Sequence, residues 1–553
     1  MIDYRTPLAD IVFALEQAVG DRALPGWDAE VARSVLEHAA RFVDGVIAPL
    51  DLVSDREGAR LEAGRVRLPA AFGAAYQAYC AGGWPGLAAG EDYGGQGLSG
   101  MIAGAFSEML AGACHGLHMS LSLPQGAMRT LRANASPAQQ ARWMPRLAGG
   151  EWLATMCLTE PQAGSDLSLV RTLARPDGKG WRIEGSKIFV SGGDQDLTGK
   201  TLHFVLARTP EAQPGLKGLS LFLAPSEHDD GRRNGIEVLR IEEKMGLHGS
   251  PTCQLAFNGA EAEMVGAPGE GLKRMFALMN AQRVDVGLQG VGLATAAMQR
   301  TLAYVNGRRQ GRGIGGTALL VEHDDVRRML LTQMALVGGG RTLCYRLLAD
   351  IEAGSESPLI DMMTSVCKFF CTEAAISAAQ LAIQCHGGYG YLAEYRVEQV
   401  LRDSRITAIY EGTNGIHAMT LASRVIHVDG VAEGFTADAM AAGAVAAGAG
   451  LVDTARILAD LTARWNEATA AVRANPRVGG VADAYMRLTA MVAFAAAWAR
   501  LEAAAGQAPN PERLRATARF VREFMLVEAG AYAEICVSSA DLGYAANALR
   551  EAP

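Results

Sequence analysis

The feature that most constrains this chain is a change of texture near Glu151 and a second one near Gly271. Between them lie short apolar segments of strand character: Trp181–Val190, Leu202–Arg208, Leu219–Ala224, Ile236–Ile241 and Gln254–Phe257. Pro176-Asp177-Gly178 and Asn258-Gly259 supply turn chemistry in this region. Regularly spaced short strands predict a small barrel or sandwich. On either side the apolar residues recur at helical spacing, in Val31–Leu50 and Phe106–Leu131 before it, and in Leu272–Arg309, Val326–Ala353, Leu359–His386 and Arg405–Ile426 after it. The order is helical, then β, then helical.

A last helical block runs to the C-terminus, broken at Asn475-Pro476 and Pro509-Asn510-Pro511. From Asp453 onward it carries 11 Arg, 11 Asp or Glu, and no Lys, so it presents no basic face and reads as an appended bundle. The 553 residues suffice for about three or four domains. A hydrophobic share of 49% with 20% charged residues excludes bulk disorder. The net charge of −8 disfavours a phosphate-backbone partner. Nine cysteines, an odd number with no paired framework, point to a reducing compartment. The first residues do not read as a signal peptide, and the longest apolar runs, Ala439–Val452 and Ala490–Ala499, fall short of the roughly 20 residues of a membrane span. A cytoplasmic protein with no membrane span is expected.

Three stretches carry candidate chemistry. In Met156–Asp166, Pro161 and Gly164 force a turn with the hydroxyls of Thr159 and Ser165 at its edges. Such a turn donates hydrogen bonds to a flat heteroaromatic ring or a phosphate, or is an ordinary Asx-type turn. In Lys187–Gly193, Phe189 can lie against a ring system while Ser191 donates to it, or Phe189 is a core side chain at a strand end. In Ile409–Gly415, Glu411 follows an apolar-aromatic pair and precedes glycine. Partial desolvation there would make it a better base near neutral pH; the alternative is a solvated acid near a helix N-cap. Gln384–Tyr391 adds a glycine-rich stretch after a helix. The run Gly287–Gly292 has no strand leading into it, which argues for close helix packing and against dinucleotide binding. Cys367 and Cys371 lie along an apolar helix, so no metal site is expected.

With Met245–Thr252, these stretches, in this order and spacing, resemble the acyl-CoA dehydrogenase family from about residue 40 to 430. The opening Tyr4–Ile11, the segments Ile188–Leu197 and Asp325–Thr332, and the C-terminal block resemble its longer branch, which includes 3-methylmercaptopropionyl-CoA dehydrogenase. The resemblance implies a mostly α fold with a central β domain: an N-terminal helical domain (1–153), a middle β-barrel domain (154–267), a C-terminal helical bundle (268–432) and an additional helical domain (433–553). It implies FAD lying between the middle and C-terminal domains and reaching into a neighbouring subunit of a homodimer. By motif match, Thr159, Ser165, Phe189, Ser191, Arg308, Gln310, Gln384, Gly388, Thr413 and Gly415 are its contacts. Phe189 stands where many relatives have Trp. Glu411 matches the catalytic base. Ser165, Arg283, Tyr410 and Gly412 match the substrate pocket. Some relatives carry the base on the earlier helix, but Ala281-Gln282-Arg283 offers no acid there. The implied reaction is α,β-dehydrogenation of an acyl-CoA, with 3-(methylthio)propanoyl-CoA a candidate, and transfer of electrons to an electron-transfer flavoprotein. The alternatives are an acyl-CoA oxidase using oxygen and a nucleic-acid-binding flavoprotein of the same superfamily.

Overall fold

Strands of alternating or wholly buried character and long helices with apolar stripes are what the computed structural model of the chain contains. It describes residues 3–20, 22, 24, 26–178, 180–313, 316–355, 357–538, 541–545 and 549–550, with the backbone alone at 277. The chain divides into two compact units, one of residues 38–285 and one of residues 1–37 with 286–553.

In the first unit a small hairpin pairs β1 (Arg60–Glu62) with β2 (Arg65–Arg67). Its helices include Gly100–Ala113, His115–Leu121, Leu123–Asn134 and Pro137–Ala148. Ser136 and Gln139 close a reciprocal capping box at the start of the last of these. The segment read as one helix over Phe106–Leu131 is therefore three. Cys114, at φ −158°, ends the first, and a second break falls at Ser122.

Seven strands follow: β3 (Leu153–Cys157), β4 (Leu173–Asp177), β5 (Gly180–Ser191), β6 (Thr201–Arg208), β7 (Leu219–Pro225), β8 (Ile236–Ile241) and β9 (Thr252–Val265). The sheet order is β3-β6-β4-β5-β9-β7, and β7 pairs back onto β6, so β6, β4, β5, β9 and β7 close a ring. β8 pairs with β9 outside it. The barrel expected from the sequence is thus present. Its core strand β6 is buried from Thr201 to Ala207 because it is hydrogen-bonded on both edges and covered on both faces. One expectation fails here. Asn258-Gly259 is not a turn between strands: β9 runs straight through it. Gly259 adopts φ +70°, and the register against β5 shifts by one residue at this point, so the pair forms a bulge instead of a reversal.

In the second unit three long helices, Gly271–Gly307 (entering from the first unit), Asp324–Glu352 and Leu359–His386, form the bundle. Glycines let them approach: a Cβ built on Gly290 would stand 2.4 Å from the Cys371 carbonyl oxygen. This settles Gly287–Gly292 as a packing surface within a helix. The helix Leu8–Val19 packs on Asp324–Glu352, and Arg22 pairs with Asp350 at 2.9 Å. The segment from Leu359 to Tyr391 is long and apolar enough to cross a membrane, but two-thirds of its apolar window (67%) is buried inside the protein, as in a core helix. Of the segment Arg405–Ile426, expected to be helical, only Asn414–Ser423 is α-helix; Arg405 ends the preceding helix Val397–Arg405, and a short 3₁₀ turn and a loop separate the two.

The C-terminal block forms the helices Val431–Gly448, Val452–Ala474, Ala482–Ala503, Pro511–Phe520 and Glu528–Val537. Asn510 caps the fourth by accepting from the Arg513 N–H at 2.9 Å. Ala482–Ala503 is almost wholly buried. Its Trp498 indole donates to the Ala335 carbonyl at 3.1 Å, and its Phe494 occupies the space that a side chain on Gly339 would need. The block packs on the bundle, as its composition suggested.

Candidate active site

In the barrel unit the turn after β3 is built around a buried ion pair. Glu160 and Ala163 exchange backbone hydrogen bonds at 2.9 and 3.0 Å, closing a turn through Pro161 and Gln162, with Gly164 just beyond it. The Lys187 ammonium, wholly buried on β5, donates to Glu160 Oε1 at 2.8 Å and to the Leu158 carbonyl at 2.9 Å. Glu160 also accepts from the backbone N–H groups of Arg171 (2.7 Å) and Thr172 (3.0 Å). Burial alone would raise its pKa. Lys187 and the hydrogen-bond donors outweigh burial and hold it at about 2. A further bond, Ile188 N–H to the Thr159 carbonyl at 2.9 Å, fixes the turn to β5.

This frame brings Thr159 and the Phe189–Ser191 strand end together. Phe189 lies at a register shift between Lys187 and Val190, with φ +56° and 62% of its surface exposed. It is not a core side chain. A bulky residue in the left-handed region is uncommon and costs of order 1–3 kcal/mol. Ser191 is half-buried, and its carbonyl accepts from the Thr155 hydroxyl at 2.6 Å. Ser165 is exposed at the outer edge of the turn. Arg283, half-buried on its helix, donates to the Asn280 carboxamide oxygen at 3.1 Å and lies 5.6 Å from the centre of the Phe276 ring. In the same unit His115 and His118 are buried, and burial lowers His118 to about 3. Ser107 bonds both His118 and Asp285. The carboxylate thus holds the serine rather than the far side of the imidazole, which is not the arrangement of a nucleophilic triad.

In the bundle unit Glu411 sits in the loop between the helices ending at Arg405 and starting at Asn414. It is half-buried and adopts φ +53°; Gly412 follows at φ +90°. The carbonyl of Glu411 accepts from His417 Nε2 at 3.0 Å, and that of Gly412 accepts from Lys368 Nζ at 2.9 Å. Thr413 caps the next helix, its hydroxyl accepting from the Ile416 N–H at 3.2 Å. Tyr410 donates its hydroxyl to Gln289. The helix N-cap foreseen as an alternative is therefore real, but its cap is Thr413, and Glu411 precedes it in a strained turn.

Arg308 follows the end of its long helix, half-buried, its guanidinium 5.5 Å from the centre of the Tyr389 ring. Gln310 is exposed on a hairpin of β10 (Arg309–Gly313) and β11 (Gly316–Leu319), where its carbonyl faces His323 at 2.8 Å. Gln384, Gly388 and Gly415 are exposed, and a Cβ on either glycine would meet nothing within 4 Å. Among the described residues no group of three His, Cys, Asp or Glu side chains is placed to hold a metal ion.

Sequence reasoning missed Lys368 and His417. Lys368 was visible as a lone charge inside the apolar run Ser365–Cys371, which demands a buried partner. It also read Met156–Asp166 for its hydroxyls and overlooked the Glu160–Lys187 pair that shapes it.

Three family models match: acyl-CoA dehydrogenase N-terminal domain over residues 29–151, middle domain over 155–260 and C-terminal domain over 269–426. The chain is 36% identical over 535 residues to 3-methylmercaptopropionyl-CoA dehydrogenase of Ruegeria pomeroyi, spanning 92% of this chain and 86% of that one. Butyryl-CoA dehydrogenase from Megasphaera elsdenii superposes with a TM-score of 0.62 at 25% identity, covering 70% of this chain and 96% of the other. Caenorhabditis elegans ACDH-11 in complex with C11-CoA shares the fold with a TM-score of 0.75 at 19% identity, over 95% of this chain and 92% of the other, so its likeness takes in the C-terminal helices as well. The chain belongs to the acyl-CoA dehydrogenase family, oxidoreductases acting on CH–CH bonds.

Proposed function

We propose that the protein dehydrogenates an acyl-CoA thioester between its α and β carbons, giving the 2-enoyl-CoA, with FAD as cofactor and Glu411 as base. The observation that carries this reading is the geometry at residue 411: a carboxylate on a left-handed, half-buried turn whose own carbonyl and that of Gly412 accept from His417 and Lys368. Strain of that kind marks a side chain aimed for use.

The residues present suit a flavin nucleotide. Phe189 offers an uncovered aromatic face, and Thr159, Ser165 and Ser191 offer hydroxyl donors to a polar ring edge. Arg308 and Gln310 offer donors to a diphosphate, joined by the Thr413–Gly415 helix start. Gln384 and the open space over Gly388 suit close approach of an adenosine half. When bound, FAD supplies the hydride acceptor. The chain's own work is to take the α-proton onto the Glu411 carboxylate and to donate the Glu411 N–H to the thioester oxygen as negative charge develops there. By family motif match, Arg283 in the barrel unit, and Tyr410 and Gly412 in the bundle unit, are assigned to the acyl group. A short or sulfur-containing acyl chain such as 3-(methylthio)propanoyl is the substrate we favour, supported by the relative in Ruegeria pomeroyi. Electrons leave to an electron-transfer flavoprotein from a cytoplasmic homodimer.

The test is anaerobic bleaching of the flavin spectrum across a panel of acyl-CoAs that includes butanoyl- and 3-(methylthio)propanoyl-CoA. Bleaching is expected, followed by reoxidation faster with electron-transfer flavoprotein than with air. No bleaching by any member of the panel would overturn the reading. Rapid peroxide formation would assign an oxidase instead.

A further inference from the structure

Left-handed backbone at a residue with a side chain persists only where its surroundings enforce it. At Glu411 the enforcing groups are identifiable. His417 Nε2 donates to the Glu411 carbonyl at 3.0 Å, which fixes the peptide plane after Glu411. Lys368 Nζ donates to the Gly412 carbonyl at 2.9 Å, which fixes the next plane. Both donors are buried, at 3% and 0% exposure. Each is gripped from a second side: His417 Nδ1 meets the Ser365 hydroxyl at 3.2 Å, and Lys368 also donates to Asn414 Oδ1 at 2.8 Å. A neutral imidazole that donates through Nε2 must accept at Nδ1, so Ser365 selects the required tautomer. Asn414 is held in turn by Glu373 at 2.8 Å and Thr372 at 3.1 Å. Ser365, Lys368 and Thr372 fall at i, i+3 and i+7, on one face of the Leu359–His386 helix. Gly412 completes the arrangement, because a Cβ there would stand 3.0 Å from His417 Nε2.

Two satisfied buried polar groups would by themselves be ordinary. Here the two bonded carbonyls are consecutive, and the torsions they fix are ψ of Glu411 and both torsions of Gly412, those that aim the carboxyl group. Tyr410, anchored on Gln289, secures the residue before.

We propose that His417 and Lys368 are positioning residues that hold Glu411 in its left-handed conformation and so set the direction of its carboxylate. This rests on the reading of Glu411 as the base. Without either donor the 411–412 peptide is free to relax toward the right-handed region, which swings the carboxyl away from the α-carbon while leaving acyl-CoA binding intact.

The experiment uses the FAD-loaded enzyme and butanoyl-CoA in anaerobic stopped flow, reading the flavin reduction rate at saturation and the Kd separately, with bound FAD and the thermal midpoint as controls. H417L is expected to slow reduction about 30- to 100-fold, the penalty of a misplacement near 1 Å, with Kd changed less than about twofold. H417Q, whose carboxamide can donate to the same carbonyl, is expected to recover to within about fivefold of the wild-type rate. K368M should resemble H417L; because it also removes a buried charge, K368R and the His417 pair decide the matter if it does not fold. Wild-type reduction per bound flavin in H417L would overturn the proposal, as would equal losses in H417L and H417Q. E411Q in the same series separates the two failures. If E411Q is silent while H417L is normal, positioning alone is wrong; if E411Q reduces flavin at the wild-type rate, the base assignment falls and this proposal with it.

Discussion

Replacing Glu160 by glutamine tests whether the turn after β3 is built by electrostatics or merely by its proline and glycine. Glu160 is 4% exposed and its carboxyl is held at about 2, against an ordinary value near 4.5. From the carboxyl side alone a shift of that size corresponds to about 3 kcal/mol at pH 7, and it offsets the cost of burying Lys187, whose pKa burial pushes below its ordinary value. Direct measurements of broken buried ion pairs agree, at about 3–5 kcal/mol, because the partner is left as an uncompensated charge. E160Q should therefore loosen β5 and the turn it holds. Native-state hydrogen exchange reads this locally, and a loss near 3 kcal/mol speeds exchange about 100-fold at the Lys187 and Ile188 amides. The sign with pH follows from the depressed pKa. The stabilisation is fully present above the unfolded value and is lost as pH falls through 4.5 toward 2. The gap between wild type and E160Q should accordingly narrow to about 2 kcal/mol near pH 3.5. A gap below about 1 kcal/mol at pH 7, or one that does not change with pH, would refute the electrostatic account.

Other expectations are independent of that pair. G388A should leave the unfolding midpoint of the FAD-free protein unchanged, since its Cβ meets open space, yet weaken FAD binding by about 1–3 kcal/mol in a fluorescence titration if the cofactor packs there. R308M should weaken FAD by about 1.5–3 kcal/mol, the value of a charged hydrogen bond, with the difference shrinking at high salt. G290A, whose Cβ would press on the Cys371 carbonyl at 2.4 Å, should destabilise the bundle by about 1–3 kcal/mol in thermal unfolding without selective loss of FAD.

Much of the fold was legible because periodicity survives in the sequence. The strands β5, β6, β7 and β8 lie within a residue of their expected ends, since each alternates or is continuously apolar between turn residues. β3 and β4 were not foreseen: they are five residues each and carry polar or proline positions. Asn258-Gly259 misled because the residue pair that favours a hairpin also favours a bulge with positive φ. The packing of Leu8–Val19 on Asp324–Glu352 joins segments some 300 residues apart, and no local pattern encodes that. At the site, Glu411 stood out through its match to the family's base, while its local setting, after an apolar-aromatic pair and before glycine, also fitted a solvated acid near a helix N-cap. Its donors did not, because Lys368 lies 43 positions earlier and reaches Glu411's neighbour only through the helix pairing. Phe189 was readable as aromatic, but its exposure and left-handed backbone belong to a register shift that only the three-dimensional pairing reveals.

The central claim is that the carboxylate at 411 takes the α-proton, and the most direct measurement is the anaerobic flavin reduction rate of E411Q loaded with FAD and saturated with acyl-CoA. The account predicts normal FAD content and acyl-CoA affinity with reduction slowed roughly 10²- to 10⁴-fold. Reduction of E411Q at the wild-type rate would contradict it.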